Sequence, residues 1–396
     1  MLSKFLMKSV ICAPKRTAIG SFQASLSSFN APQLGAFAIQ AVLQESGLAP
    51  ASIQEVYMGC VLTAGLGQAP ARQASIKAGI PNSVPCTTVG KVCGSGLKAV
   101  MLADQAIRAG EISVAIAGGM ESMSQSPYLL PKIRGGLRMG NGELVDSMIK
   151  DGLWDVYKDF HMGMAGELCA REKNISREEQ DAHAKNSYEK ALASLQNGVF
   201  KAEIIPVTIP GKTPVVFDKD EEPAKSDLSK FASLRPAFDK AGTITAANAS
   251  TLNDGAAAMI VCSEDYAAKN GLKPMARILA QSQFAQAPEW FTTAPAEGLK
   301  LAVQKAGLTV DQIDLWEINE AFSVVALANM KLLNLDPKKV NVRGGAVALG
   351  HPIGASGARL MVTLCHALAQ EGKRYGAASL CLGGGEAVSV VVENLT

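Results

Sequence analysis

Aromatic residues make up only 5% of this 396-residue chain, histidine occurs four times, and charged residues stop at 19%. With a net charge of +2 and dispersed lysines and arginines, no basic stripe forms, which excludes nucleic acid as an expected partner. The eight cysteines are scattered without a C-x-x-C pair, so neither a zinc site nor a disulfide framework is laid out. A reducing compartment, the cytoplasm, is the expectation. A metal-ligand set and a Walker-type phosphate loop are both missing, and Gly383 to Gly385 does not match a dinucleotide fingerprint. Long apolar runs are lacking too. Met1 to Lys8 is too short for a secretory core or a membrane span, and reads either as a weak organelle-targeting remnant or as sequence ahead of a start at Met7.

What the chain has in quantity is small and apolar: 48% hydrophobic residues and 37 glycines. A length of 396 residues then implies two or three domain-sized units with substantial cores. Apolar runs alternate with helical patterns: Ser9–Ala13, Val56–Val61, Thr87–Val92 and Val114–Ala117, then Arg277–Ala280, Leu315–Ile318, Val340–Ala348, Ala377–Leu382 and Val388–Val392. This pattern predicts an α/β fold with a mostly parallel sheet covered on both faces.

The chain also contains itself twice. Gly47-Leu48 with Ile53 recurs as Gly307-Leu308 with Ile313, Ser95-Gly96-Leu97-Lys98 as Ser356-Gly357-Ala358-Arg359, and Gly118-Gly119-Met120-Glu121 as Gly383-Gly384-Gly385-Glu386. Three matches in one order predict an internal duplication. The first half takes 1–121 and 244–273, and the second takes 274–396. Between them, 122–243 reads as an inserted loop domain, with a helix opened by a Ser176/Glu179 capping box and closed near Gly198.

Candidate chemistry gathers where apolar runs end, since ligands in α/β folds bind beyond the carboxyl ends of strands. Cys93, in Val92-Cys93-Gly94-Ser95-Gly96, stands where a β-rich run turns into an amphipathic helix. A helix start favours thiolate over thiol, which predicts a lowered pKa; alone, such a cysteine is more often a small buried hydrophobe. His351, in Gly350-His351-Pro352, holds the matching place in the second half and is the expected base for Cys93 across the pseudo-dyad. Cys381 precedes Gly383-Gly384-Gly385, whose backbone N–H groups suit an oxyanion, although a tight strand turn reads the same way. Asn319 ends another run and stands open as a helix cap or a site residue. His183 and His366 lie in helical patterns and read as ordinary.

Taken together, Val92-Cys93-Gly94-Ser95-Gly96, Asn319-Glu320-Ala321-Phe322, Gly350-His351-Pro352 and Cys381-Leu382-Gly383-Gly384-Gly385 closely resemble the signature segments of the thiolases. Ala13-Pro14-Lys15-Arg16-Thr17, Leu234-Arg235-Pro236-Ala237-Phe238 and Asn248-Ala249-Ser250 extend the resemblance over nearly the whole chain. It implies two βαβαβαββ halves packed as a five-layer αβαβα core, and reversible Claisen chemistry on acetyl-CoA, acetoacetyl-CoA and CoA. Cys93 would carry the acetyl group, His351 would activate its sulfur, and Cys381 would take a methyl proton from the second acetyl-CoA. His351 with a water on Asn319 would hold the enolate oxygen, and the backbone N–H groups of Cys93 and Gly383 the other oxyanion. Coenzyme A enters as substrate and product, with no further cofactor and no metal.

Asp151-Gly152-Leu153 with His161-Met162-Gly163 resembles the acetoacetyl-CoA, biosynthetic branch, placing His161 and Met162 near the acyl group and Ser250 on the pantetheine arm. The chain departs from that branch in two places. Ala165-Gly166-Glu167 replaces Thr-Ala-Glu, and Ala224 follows Pro223 where a phosphate-binding basic residue is common, leaving Lys225 as its substitute. The resemblance further implies a homotetramer built from dimers. A broad 3-ketoacyl-CoA thiolase, a condensing enzyme of fatty-acid or polyketide synthesis, and a non-catalytic acyl-CoA-binding protein of the same fold are the competing readings.

Overall fold

The computed structural model describes residues 8–396, so the reading of the N-terminal extension falls outside the described residues. The first half runs β1 (Ser9–Thr17), α1 (Ala31–Ser46), β2 (Glu55–Gly59), α2 (Pro70–Lys77), β3 (Cys86–Val89), α3 (Ser95–Ala109) and β4 (Val114–Ser122). After α4 (Met162–Glu172) and α5 (Arg177–Gln196) the chain returns to the same sheet as β5 (Asn253–Ser263). The second half runs β6 (Pro274–Ala285), α6 (Ala294–Lys305), β7 (Leu315–Ile318), α7 (Ser323–Leu333), α8 (Ile353–Glu371), β8 (Tyr375–Leu382) and β9 (Glu386–Asn394). Local sequence sets these limits. Asn30 and Gln33 close a capping box at the start of α1 and Gly47 ends it in the left-handed conformation, while Ser176 and Glu179 do the same for α5, as expected.

The main strands order as β7-β8-β9-β6-β1-β5-β4-β2-β3. Helices α1 and α2 cover the outer face of the first half's sheet and α6 and α7 that of the second, while α3 and α8 lie between them. This is the five-layer αβαβα arrangement. Leu97, Met101 and Ile107 of α3 share the central core with Leu360 and Leu364 of α8, each fully buried and worth about 2 kcal/mol on transfer from water.

The repeated Ser-Gly pairs explain how the central helices approach so closely. A Cβ on Gly357 would fall 2.3 Å from the backbone N of Leu97, and one on Gly96 would fall 2.8 Å from that of Ala358. Only glycine admits both contacts, and they bring the starts of α3 and α8 together. Those starts carry Cys93 and His351.

Three expectations change. The sheet is mixed, not mostly parallel: β2 is parallel to β3 and β4, and β7 to β8, but β1, β5, β6 and β9 pair antiparallel with their neighbours. Each half closes on itself with a returning strand, which alternation of runs and helices does not reveal. Val340–Ala348 is not a strand. Val340 makes one bridge to Trp316, then Asn341, at φ 45°, turns the chain and Ala346–Leu349 forms a helical turn. Asn341 holds that turn by bonding both Ile318 N and Ile318 O. Finally, β5 went unread as a strand because all eleven residues are buried and it shows no alternation.

Candidate active site

Two elbows build the site. Val92, a β-branched residue, is held at φ 43° just before Cys93, and Gly350 at φ 103° just before His351. Strain at a non-glycine residue persists only where surrounding structure demands it, and it favours functional positions. Both elbows open on a pocket of about 560 Å³ that Cys93, His351, Cys381, Gly383 and Met162 border together.

Cys93 lies one residue before the cap of α3, which is Gly94. Burial pushes its thiol up to about 12, against the pull of two converging N–H groups, its own and that of Gly383, while the nearby Glu121 carboxyl pushes further up. The shift runs against the lowering expected from the helix start: at the half-buried Cys93, enclosure opposes the charged form more than the helix terminus favours it. Cys93 rests as a thiol and needs a base. The backbone N–H groups of Cys93 and Gly383 thus converge on its sulfur.

His351 is buried and fixed at both ring nitrogens. Nδ1 lies 2.6 Å from Ser356 Oγ, whose own proton goes to Pro352 O at 3.0 Å. Nδ1 is therefore the donor, and Nε2 keeps a lone pair facing Asn319 Nδ2 at 3.4 Å. Burial and then the charge of Arg359 bring His351 down to about 3, so the ring is neutral. A neutral imidazole with its lone pair at Nε2, engaged only by the long contact to Asn319, is what a half-buried thiol requires.

Cys381, the last residue but one of β8, has no exposed surface, and burial followed by the proximity of Cys93 pushes its thiol well above the ordinary value. Asn319, directly after β7, is set behind His351, and its Oδ1 is buried without a partner among the described residues. Such an acceptor calls for a donor from a ligand or water.

The remaining candidates line the walls. His161 caps α4 by accepting from Gly163 N at 3.1 Å and stacks on Phe238 at 4.6 Å, with its pKa lowered by burial. Met162 packs with Phe291, Phe322 and Cys381 in one apolar cluster. Ser250 Oγ donates to Ala321 O at 2.9 Å and faces the pocket. Lys225 also borders it, but its ammonium is tied to Ser21 Oγ at 2.9 Å and Glu221 at 3.4 Å. The sequence departure at Ala165-Gly166-Glu167 sits behind the wall: Gly166 packs on Ile244, and Glu167 bonds the backbone of Thr243 and Ile244. Sequence reasoning gave no role to Ser356 or Phe238. Ser356, five residues after His351, was visible only as half of a repeat. His183, read as ordinary, bonds Glu320 at 3.1 Å and ties α5 to the Asn319 segment. Among the described residues no group of three or more His, Cys, Asp or Glu is placed to hold a metal, and no helix is long and apolar enough to cross a membrane.

Two family descriptions match in succession: "Thiolase, N-terminal domain" over residues 9–265 and "Thiolase, C-terminal domain" over residues 272–394. The chain belongs to the thiolase family. Acetyl-CoA acetyltransferase 1 of Arabidopsis thaliana is 53% identical over 382 residues, covering 96% of this chain and 92% of that protein. A thiolase from Ascaris suum, solved in complex with coenzyme A, superposes with a TM-score of 0.94 at 44% identity, covering 98% of this chain and 100% of the other. The Bacillus anthracis acetyl-CoA acetyltransferase gives a TM-score of 0.96 at 39% identity, covering 98% and 99%. In this thiolase the elbows, the cysteines and the asparagine anticipated from the signature segments share one site.

Proposed function

We propose that this thiolase is an acetyl-CoA acetyltransferase, joining two acetyl-CoA into acetoacetyl-CoA and CoA, and reversing the reaction by thiolysis. The carrying observation is that Cys93, His351 and Cys381 border one pocket, with His351 Nδ1 bonded to Ser356 so that its lone pair lies at Nε2, in long contact with Asn319. His351 Nε2 takes the Cys93 proton and the sulfur attacks the thioester carbonyl. The oxyanion forms on the N–H groups of Cys93 and Gly383, each such donor being worth roughly 10²–10³ in rate. As the carbon–sulfur bond to CoA breaks, the departing CoA sulfur takes the proton of Cys381. That leaves acetyl-Cys93, an imidazolium and a Cys381 thiolate.

The thiolate then removes a methyl proton from the second acetyl-CoA, and His351 with a water on Asn319 holds the enolate oxygen. The enolate carbon attacks acetyl-Cys93, acetoacetyl-CoA leaves, and the imidazolium returns its proton to Cys93. The high resting pKa of Cys381 supports this order, since a neutral thiol is first an acid and only then a base. No cofactor beyond coenzyme A is required.

A short acyl chain fits the walls. Met162, Phe291, Phe322 and the His161–Phe238 stack close the pocket around Cys381, while Ser250 and Lys225 are assigned to the pantetheine arm and the phosphate end. Exposed Tyr128, Leu130, Ile133, Leu137, Met139 and Leu144 form an apolar excursion that supports a homotetramer built from dimers. Eight unpaired cysteines favour a reducing cytoplasm. Relatives are named both cytosolic, in Gibberella zeae, and mitochondrial, in Bos taurus.

The test is thiolysis of acetoacetyl-CoA beside 3-ketohexanoyl-CoA by purified protein with free CoA. Activity confined to acetoacetyl-CoA is expected. Comparable rates on both would replace this reading with a broad 3-ketoacyl-CoA thiolase, and no turnover of either would refute catalysis.

A further inference from the structure

Glu121, the last residue but one of β4, has no exposed surface and, among the described residues, no salt bridge, yet both its oxygens are occupied by donors. Oε2 accepts from Val61 N at 3.0 Å and from Gly354 N at 2.9 Å, and Oε1 from Leu62 N at 3.3 Å and Cys60 Sγ at 3.7 Å. Four donors on two oxygens favour the carboxylate, because a proton on either oxygen would displace one of them. Gly354 belongs to the first turn of α8, and the Cys60–Leu62 turn follows β2, so one side chain joins the two halves of the molecule.

The bond to Gly354 matters because that first turn fixes His351. The ring donates to Ser356 Oγ, which donates to Pro352 O, and both partners flank Gly354. The duplication sharpens the point. Glu386, the repeat counterpart of Glu121, likewise reaches across to the opposite half, bonding Lys91 two residues before Cys93, but at the half-exposed rim. Each Gly-Gly-x-Glu segment thus braces the other half's elbow, and only the brace on the His351 side is dry.

We propose that Glu121 is a positioning residue of this active site, its carboxylate clamping the His351-bearing start of α8 to the Cys60–Leu62 turn and so setting the approach of His351 to Cys93. The clamp rests on the reading of Cys93 and His351 as the reacting pair. The titratable groups facing Glu121 are Cys60 from the turn after β2 and Cys93 from the elbow before α3; α8 and β5 present the backbone of Gly354 and Gly255. Burial raises Glu121 to about 7 against the backbone bonds that favour its charge. Loss of the clamp on protonation therefore produces an acid limb near pH 7, a limb that His351, brought down to about 3, cannot supply.

The test uses the full chain. Glu121→Gln turns an NH2 onto backbone N–H donors, and displacement of a reacting group by about 1 Å costs roughly 10² in rate. A kcat reduced about 100-fold, KM within threefold, slower acetylation of Cys93 by acetyl-CoA and loss of the limb near pH 7 are expected. Cys60→Ala, which removes one donor to the carboxylate, moves the limb upward, and Cys60→Ser, which keeps a donor, does not. The proposal is overturned if Glu121→Gln keeps kcat within twofold and retains the limb; should that variant not fold, an unmoved limb in Cys60→Ala overturns it. Wild-type protein that forms no acetyl adduct on Cys93 would remove the functional reading itself, whereas a normal adduct formed equally fast in Glu121→Gln would remove only the clamp.

Discussion

Replacing Ser356 by alanine tests whether one tautomer of His351 carries the chemistry. Ser356 has no exposed surface and its Oγ sits 2.6 Å from Nδ1, so no bulk water can take its place. The variant leaves a buried N–H without an acceptor, which costs about 1–3 kcal/mol. The ring avoids that cost by moving its proton to Nε2, where a flipped Asn319 amide can accept it, but it then loses the Nε2 lone pair on which the proposed proton transfer from Cys93 depends. The middle of that range, about 2 kcal/mol, corresponds to roughly 30-fold in rate. A tenfold to hundredfold loss is also the ordinary effect of deleting a partner that orients a reactive histidine. The assay is kcat/KM for acetoacetyl-CoA thiolysis, with single-turnover acetylation of Cys93 followed by mass. Both should fall by the same factor while the melting temperature shifts by only a few degrees. A Ser356→Ala protein within threefold of wild type in both assays would refute the assignment of Nδ1 as the fixed donor.

Cys93→Ala should form no acetyl adduct, whereas Cys381→Ala should still acetylate at Cys93 and lose at least a thousandfold in condensation; mass spectrometry with the condensation assay separates these, and an adduct in Cys93→Ala would sink the division of labour. Burial opposes the charge of Glu320, but its bonds to His183, Asn341 and Ser187 overcome this and bring it down to about 2. A depressed carboxyl contributes stability that is fully present above its unfolded value near 4.5 and lost as pH falls toward 2; here that is about 3 kcal/mol. In denaturant titrations the gap between wild type and Glu320→Gln should therefore shrink by most of that amount between pH 7 and pH 2, and a constant gap would refute the linkage.

Much of the site was legible because its residues stand in short segments with unusual composition. Cys93, His351 and Cys381 each follow an apolar run and meet glycines, and the internal repeat predicts that the first two face each other. The sign of the Cys93 shift was not legible. A helix start can be read from sequence, but the loss of water around a thiol depends on which elements close over it. The partners of His351 were equally hidden, since Ser356 is significant only once the first turn of α8 has folded back onto the ring. The antiparallel closing strands were missed for a related reason. A strand buried on both faces, such as Asn253–Ser263, has no periodicity to distinguish its direction or even its type.

By itself the sequence determined the duplication, the limits of the capped helices, the family and the residues able to react, because each is written in local spacing or in recurring segments. Tertiary structure decided the protonation of those residues, the mixed direction of the sheet and the brace at Glu121. These depend on long-range contacts: a carboxylate on β4 meets Gly354 more than 200 positions away, and the low dielectric between two packed halves sets the charge each group can hold.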